Sequence, residues 1–211
     1  VQTCALPISE INGQGPVITE EAINELFAKL DTLTKEDILV LAGSIPNTLP
    51  EDIYEKILAR LESKGIRVVV DATKDLLLNV LKYHPFLIKP NNHELGEMFG
   101  TVCKTDEDIV HYAKKLQEKG AVNVLISMAG DGAILITEDG QNIKMGTPKG
   151  KVVNSVGAGD SMVAGFITGY IRGGNYEEAL KSGTAAGSAT AFSEGLASLE
   201  MYEKMLKQIT E

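Results

Sequence analysis

The sequence has no Trp, only two cysteines, and aromatic residues at just 5% of its 211 positions. Cys4 and Cys103 have neither metal-ligand spacing nor the pairs of a disulfide framework, which suits a reduced, cytosolic compartment. No apolar run approaches the roughly 20 residues needed to span a bilayer. Residues 1–8 lack the basic start and cleavage motif of a signal peptide. The sequence therefore predicts a cytoplasmic protein with no membrane partner.

Basic residues are also scarce, because 20 Lys and Arg stand against 29 Asp and Glu, a formal net charge of −9 at pH 7. Nucleic-acid backbones are bound by clustered Lys and Arg, so this balance argues against a nucleic-acid partner. It does not argue against a nucleotide, which local backbone amides and a bound cation can hold. His84, His93 and His111 share no metal-ligand spacing.

The first eight residues, VQTCALPI, differ in character from the rest of the chain. They resemble one translated frame of a sequencing-library adapter, and the alternative is a frayed native terminus. We exclude residues 1–8 from fold reasoning as a non-native segment. Residues 9–211 are expected to form the C-terminal part of one domain.

From residue 10 onward, short apolar runs alternate with segments of helical periodicity. Strands are predicted at 38–42, 67–71, 86–89 and 122–127, with a hairpin of 133–137 and 143–145 around Asp139 and Gly140. Helices are predicted after Thr19, from Pro50 to Gly65, and at 74–81, 105–119, 158–172, 176–192 and 199–209. Nearly continuous apolar strands between helices are typical of a parallel sheet covered on both faces. The predicted fold class is therefore α/β with a mainly parallel central sheet.

Ligands of such sheets bind at the carboxyl ends of the strands, which directs attention to the loops there. The most informative loop is 154–161, with the sequence NSVGAGDS, which follows a predicted strand and opens a helix. Gly157 and Gly159 allow close backbone approach, and the helix start offers unpaired amides to an anion. Asp160, in the first turn of that helix, is suited to accept the proton of an attacking hydroxyl in phosphoryl transfer. The structural alternative is a glycine turn in which Asp160 is an ordinary helix-start acid.

Four segments resemble the ribokinase-like (PfkB) carbohydrate kinases. Residues 154–166 are similar to the second signature of that family, and residues 89–95, KPNNHEL, to its Asn-x-x-Glu motif. Residues 10–16 and 41–46 further resemble the branch that contains 1-phosphofructokinases and tagatose-6-phosphate kinases. The resemblance runs from about residue 9 to the end of the chain. It implies a ribokinase-like three-layer αβα sandwich.

The resemblance also implies roles for the matching residues. The implied catalytic set is Asp160 as the base, with the amides of Gly157, Ala158 and Gly159 as the anion hole. The implied nucleotide set is Lys89, Asn91, Ser127, Gly132, Val156, Thr184 and Ser188. The implied sugar contacts are Ser44 and Asp160, and Asn91 and Glu94 are expected to orient Mg²⁺ through water. Each role also has a structural alternative. Lys89 could be a surface lysine, and Asn91 and Glu94 a solvated pair at a helix start. The loop 127–132 could be a common turn, and Thr184 and Ser188 could serve tight helix packing.

The sequence departs from the family pattern at three places. Ala129 replaces a usual glycine in the loop 127–132. Asn154 stands where relatives often carry an Asp that helps to bind a monovalent cation, so a potassium requirement is not implied. The family's N-terminal third, with a small β-lid, a di-glycine signature and most sugar contacts, is absent. We therefore expect the lid and the first part of the sheet to be missing, and a homodimer only for the complete protein that includes them.

The implied reaction is transfer of the γ-phosphoryl group of ATP to the 6-hydroxyl of fructose 1-phosphate, giving fructose 1,6-bisphosphate and ADP. The nearest alternative is a tagatose-6-phosphate kinase or another sugar-phosphate kinase of the family. A nucleoside kinase on the same fold is disfavoured by the Lys89-Pro90-Asn91 form and by Gly43-Ser44. A non-catalytic nucleotide-binding module is disfavoured by the presence of Asp160 together with the Asn-x-x-Glu motif.

Overall fold

The structure is a computed structural model that describes residues 15–210. The segment 1–8 and most of the match at 10–16 lie outside these residues. The strands are β1 (Ile38–Ala42), β2 (Arg67–Asp71), β3 (Leu87–Ile88), β4 (Asn123–Ser127), β5 (Ala133–Ile136) and β6 (Asn142–Met145). The helices are α1 (Glu20–Asp31), α2 (Ile53–Leu61), α3 (Lys74–Val80), α4 (Asn92–Met98), α5 (Asp106–Glu118), α6 (Ala158–Gly173), α7 (Tyr176–Ala191) and α8 (Leu199–Thr210).

The six strands form one sheet in the order β1-β2-β3-β4-β5-β6. β1 to β4 pair in parallel, whereas β5 and β6 form an antiparallel hairpin beside β4. The turn of this hairpin includes Gly140, whose amide donates to the carbonyl of Thr137 at 2.9 Å. The predicted α/β class, the mainly parallel sheet and the hairpin are confirmed.

Helices cover the two faces of the sheet and make it the middle of three layers. Alternate strand residues point to opposite faces, so Val68 and Val70 pack with the residues of α1 to α5, whereas Val69 packs with α6 and α7. α8 lies on α7 through a smaller cluster around Met205. Among the helices within residues 15–210, none has the length and apolar character needed to cross a membrane.

The coverage of the sheet is incomplete at β1, which is an edge strand. Val40 in its centre is 41% exposed and Ala42 is also exposed, whereas Leu41 between them is buried. The prediction that both faces are covered is therefore wrong at this end of the sheet. The apolar run at 38–42 could not distinguish a strand that neighbours enclose from one with an open side.

Several predicted element boundaries differ from the structure by a few residues, as three elements illustrate. The helix expected from Pro50 begins at Ile53, because residues 51 and 52 form a turn and the Ile53 amide donates to the Pro50 carbonyl. The strand expected at 86–89 is reduced to Leu87–Ile88, since a proline stands on either side of it at 85 and 90. The helix expected at 74–81 ends at Val80 and continues as a 3-10 turn over 81–83.

α6 and α7 pack against each other through small residues. A Cβ atom added at Gly165 of α6 would lie 2.6 Å from the carbonyl oxygen of Ser182 and 2.7 Å from Cβ of Ala186, both in α7. Neither neighbour is the movable end of a long side chain, so any side chain here must push the helices apart. The position of α6 on the sheet therefore depends on this close approach.

We predict that Gly165→Val lowers the free energy of unfolding by about 2–3 kcal/mol, because the added atoms overpack the helix interface. The matched control is Gly146→Val, since a Cβ atom at Gly146 meets nothing within 4 Å. Urea unfolding of both variants checks this. Equal unfolding midpoints for the two variants would contradict the tight packing of α6 on α7.

Candidate active site

The carboxyl ends of the four parallel strands lie side by side along one edge of the sheet. Asp71 and Ser127 are the last residues of β2 and β4, and Lys89 follows β3 directly. Ser44 stands two residues beyond β1. The strand order therefore sets the sequence Ser44, Asp71, Lys89, Ser127 along this edge. Three predicted site residues, Ser44, Lys89 and Ser127, thus share this edge with Asp71.

Lys89 and Asp71 form a buried ion pair at the centre of this edge. Lys89 is 7% exposed, and its Nζ lies 3.1 Å from Oδ2 of Asp71. The β2–β3 pairing sets Val70 opposite Ile88, which brings the two following residues together. A buried ammonium group needs such a partner, because an uncompensated charge in the interior is costly. Lys89 is therefore not the surface lysine of the structural alternative.

The first turn of α6 lies directly against this ion pair. A Cβ atom added at Gly159 would lie 3.2 Å from the Nζ atom of Lys89. Gly157, which precedes α6, has a φ of +77°, in the left-handed region that glycine adopts without a steric penalty. The glycine pattern thus has two local causes, a left-handed turn at Gly157 and close approach to Lys89 at Gly159.

The amides of this turn are only partly engaged. No side chain of the described residues caps α6, and the Ala158 amide donates to the Ser155 carbonyl at 3.2 Å. Within residues 15–210 the amides of Gly157 and Gly159 make no hydrogen bond to another residue. Of the three amides predicted to hold an anion, Ala158 therefore already has a partner inside the turn. A helix start with unpaired amides attracts negative charge.

Two further carboxylates act on the ion pair of Lys89 and Asp71. Burial raises the pKa of the Asp71 carboxyl above its ordinary value, and Lys89 opposes this rise through charge attraction and a hydrogen bond. The charges of Asp160 and Glu94 raise the pKa of Asp71 further, so both carboxylates lie near enough to act on it. The site consequently carries more negative than positive side-chain charge.

Asn91 and Glu94 make a capping box at the start of α4. The Asn91 Oδ1 accepts from the amides of His93 (2.9 Å) and Glu94 (2.8 Å), and Oε2 of Glu94 accepts from the Asn91 amide at 2.8 Å. The Asn-x-x-Glu spacing is thus also the spacing of a reciprocal helix cap. This arrangement occupies one oxygen of each side chain and fixes the orientation of both.

A cleft with a volume of about 790 Å³ opens beside the first turn of α6, on the β4 side of Lys89. Its walls come from the start of α4, the loop after β4, the turn before α6 and the end of α7. The lining residues include six of the predicted site residues, Asn91, Ser127, Gly132, Ala158, Gly159 and Ser188. The structure therefore brings residues from four separate elements to one cavity.

The loop after β4 keeps a glycine-like backbone at Ala129. This residue has a φ of +48°, a left-handed conformation that is uncommon for a residue with a Cβ atom. The Gly130 carbonyl accepts from Oγ1 of Thr147 at 2.8 Å, which fastens the loop to the segment after β6. Although alanine replaces the usual glycine at 129, the loop therefore keeps the left-handed backbone that a glycine would adopt there.

Other predicted residues lie outside the cleft lining. Asp160 is exposed on the first turn of α6, and its charge raises the pKa of Asp71. Ser44 is exposed beside β1, and Val156 is 57% exposed. Thr184 is fully buried in α7, and its Oγ1 has no partner among the described residues. The structure does not bring Thr184 or Val156 to the wall of the cleft.

Asp71 is the site residue that sequence reasoning missed. The sequence marks it only as the end of an apolar strand, and no motif names a partner for it. The signal that could have found it is an acid at one parallel strand end beside a lysine at the next, because adjacent strand ends meet. Burial then makes their pairing necessary.

The arrangement is suited to holding an anion and accepting a proton. Unpaired amides at a helix start and the Lys89 ammonium group attract phosphate oxygens, and Asp160 offers a carboxylate beside them. Across residues 15–210, no three His, Cys, Asp or Glu side chains are grouped to ligate one metal ion directly. The oxygen-rich surroundings fit a hard cation that keeps part of its water shell.

Comparison with known proteins gives a consistent family. The model of the pfkB family carbohydrate kinases matches residues 9–201. A 1-phosphofructokinase of Bacillus subtilis is 49% identical over 95% of this chain and 66% of its own length, and a D-tagatose-1-phosphate kinase of Bacillus licheniformis is 36% identical over the same shares. A crystal structure of a candidate phosphofructokinase from Staphylococcus aureus superposes with a TM-score of 0.89 at 44% identity, over 95% of this chain and 65% of that one.

These matches cover nearly all of this chain but only part of each relative. The chain spans 66% of the length of both curated relatives, and 65% of the Staphylococcus aureus chain. The family match includes every element from α1 to α7 and the whole cleft. The chain therefore belongs to the pfkB family of carbohydrate kinases.

Proposed function

We propose that the complete protein transfers the γ-phosphoryl group of ATP to the 6-hydroxyl of fructose 1-phosphate, giving fructose 1,6-bisphosphate and ADP. The observation that carries this proposal is the close approach of the α6 turn to the buried Lys89, next to the cleft that Ala158 and Gly159 line and in the same turn as Asp160. The 49% identity to a 1-phosphofructokinase over 95% of the chain supports this choice of acceptor.

The order of groups along the sheet edge suggests how the two substrates would lie. The cleft on the β4 side would take ATP, with Ser127, Gly132 and Ser188 in its walls. The acceptor would approach from the β1–β2 side, where Ser44 and Asp71 lie. Between them, the amides of Gly157 and Gly159 and the Lys89 ammonium group would hold the transferring phosphoryl group. In-line transfer requires this order of nucleotide, phosphoryl group and acceptor.

Asp160 would act as the catalytic base. An acceptor hydroxyl loses its proton as its oxygen bonds to phosphorus, and a carboxylate beside it can take that proton. The charge of Asp160 raises the pKa of Asp71, and Asp160 does not line the nucleotide cleft. Both observations support a position of Asp160 toward the acceptor. Thr184 and Val156 have no catalytic or binding role in this proposal. Thr184 only helps to shape α7, and Val156 the loop before α6.

Mg²⁺ fits the residues around the phosphates. Asn91 and Glu94 keep one polar side-chain atom each outside their capping box, and these would orient the waters of the ion. When bound, the ion would supply positive charge to the phosphate oxygens. The excess of carboxylates over ammonium groups near Lys89 gives a reason for such an ion.

The cytoplasmic location and the homodimer of the complete protein are part of this proposal. Both follow from the family resemblance, and the reduced state suggested by Cys103 supports the first. D-Tagatose 1-phosphate is a second acceptor to test, because a kinase of that sugar phosphate is 36% identical to this chain. Tagatose 6-phosphate, the acceptor expected from the sequence alternative, belongs in the same test.

The test of the reaction is ADP release by the complete protein with ATP and one sugar phosphate at a time. We expect the highest kcat/KM with fructose 1-phosphate, and lower values with fructose 6-phosphate and the two tagatose phosphates. A higher value with a tagatose phosphate would replace the proposed acceptor. Nucleotide binding without turnover on any sugar phosphate would refute the kinase proposal.

We predict that Asp160→Asn lowers kcat by at least ~10²-fold while ATP affinity changes little, because the amide keeps the shape but cannot accept the proton. Asp106→Asn is the control, since Asp106 is also a first-turn acid, in α5, and pairs with Lys144 away from the cleft. Initial rates and ATP titration check both variants. Near wild-type kcat in Asp160→Asn would refute the assignment of the base.

Lys89→Met should lower both activity and stability. Removing the ammonium leaves Asp71 buried without its partner, which typically costs about 3–5 kcal/mol. The pKa of Asp71 should then rise further above its ordinary value, so the penalty falls on the ionised form. The loss of stability should be full at neutral pH and shrink as pH falls through that raised pKa. Unfolding midpoints of variant and wild type at pH 7.5 and pH 5 check this sign.

The double variant Lys89→Met, Asp71→Asn separates the structural role of the pair from its chemical role. Without a buried charge on either side, we expect most of the lost stability to return. We expect activity to stay low, because no ammonium group meets the phosphates. Recovery of both stability and activity would show that Lys89 serves only to neutralise Asp71.

A further inference from the structure

Asn154 connects two segments that meet at the mouth of the cleft. Its Nδ2 donates to the carbonyl of Glu194 at 3.1 Å, and its Oδ1 accepts from the amide of Val156 at 3.0 Å. Its backbone amide donates to the carbonyl of Ala191 at 3.2 Å, as does that of Val153 at 2.8 Å. One half-buried residue thus joins the loop before α6 to the segment after α7.

Each of these two segments carries part of the proposed site. Val156 directly precedes Gly157, where the chain turns left-handed into α6. Ala191 ends α7 and lines the cleft. A displacement of one segment relative to the other would therefore change the distance between the cleft wall and the amides that face Lys89.

The turn before α6 needs an external support. Glycine at 157 and 159 leaves its backbone with more freedom than other residues would, and no side chain from residues 15–210 caps the helix. Two backbone hydrogen bonds join it to its neighbours in the chain, from the Ala158 amide to the Ser155 carbonyl at 3.2 Å and from the Ser161 amide to the Gly157 carbonyl at 2.9 Å. A displacement of about 1 Å in a group that holds a reacting atom can cost ~10²-fold in rate.

We propose that Asn154 is a positioning residue that fixes the phosphate-holding amides of the α6 turn against the nucleotide cleft. This inference rests on the proposed function. A carboxamide suits the task because it donates to one segment and accepts from the other in a fixed geometry. Alanine loses both bonds, and aspartate keeps the acceptor for Val156 but turns an oxygen toward the Glu194 carbonyl.

A second connection keeps the two elements together when Asn154 is replaced. Oγ of Ser161, in the first turn of α6, lies 2.8 Å from Oγ1 of Thr190 in α7, which also accepts from the Ala197 amide at 3.3 Å. The α6–α7 interface itself is packed through glycine. Loss of the Asn154 bonds should therefore loosen the turn without unfolding the helices.

The experiment compares Asn154→Ala and Asn154→Asp with Asn175→Ala in the complete protein. Asn175 makes the same two kinds of bond, accepting from the Glu178 amide at 2.8 Å and donating to the Gly173 carbonyl at 3.2 Å. It lies at the opposite end of α6 and α7 and outside the site. The readouts are kcat and KM with ATP and fructose 1-phosphate, melting temperature, and amide hydrogen exchange of residues 155–160.

For both Asn154 variants we expect kcat to fall at least ~10-fold, more than KM for ATP rises. Exchange of residues 155–160 should become faster. Asn175→Ala should lower the melting temperature by a similar amount and leave kcat and this exchange unchanged. Aspartate should be no better than alanine, because the donor to Glu194 is lost in both.

Two results would overturn the inference: kcat of Asn154→Ala within about twofold of wild type, or an equal loss of kcat in Asn175→Ala. The proposed function fails separately, when the wild-type protein phosphorylates no sugar phosphate. In that case the exchange readout still decides whether Asn154 holds the turn, because unchanged exchange in Asn154→Ala would refute that as well.

Discussion

The buried pairing of Lys89 with Asp71 is the contact on which the site depends. An ammonium group that is 7% exposed requires a partner, and the register of β2 and β3 supplies one from the neighbouring strand end. The same ammonium group lies 3.2 Å from where a side chain at Gly159 would begin, so it also limits what the α6 turn can be. The β2–β3 register, the charge of Lys89 and the glycine at 159 thus depend on one another. A change in any one of them would disturb the contacts that the other two make.

The charge balance around this pair is the reason for proposing a cation together with the phosphates. Asp71 neutralises Lys89, and the nearby carboxylates of Glu94 and Asp160 leave the surroundings negative. A polyphosphate would be repelled by such a group of charges unless positive charge entered with it. Backbone amides of the α6 turn provide further partial positive charge. The proposed Mg²⁺ and these amides therefore do complementary work.

The sequence predicted the parts of this structure that local patterns determine. The apolar runs, the hairpin at Gly140 and the glycine turn before α6 depend on neighbouring residues, and each lies where it was expected. Asp71 was missed because its importance arises from a lysine 18 positions later, brought beside it by strand pairing. The spacing of Asn91 and Glu94 has a structural explanation, the capping box of α4, and a functional one, the proposed orientation of Mg²⁺. One spacing serves both. The open side of β1 was also missed, because apolar content does not report which neighbours cover a strand.

The proposed phosphate-holding groups and the proposed acceptor contact occupy different kinds of position in this fold. The former lie on a strand end, a buried ion pair and a helix start fixed by glycine packing, all of which tolerate little change. Ser44, the position expected to touch the sugar, is an exposed residue beside an edge strand, where substitutions disturb little packing. A fold arranged in this way can keep one phosphoryl-transfer apparatus while its acceptor changes. That agrees with the similarity of this chain to kinases named for fructose and for tagatose phosphates alike.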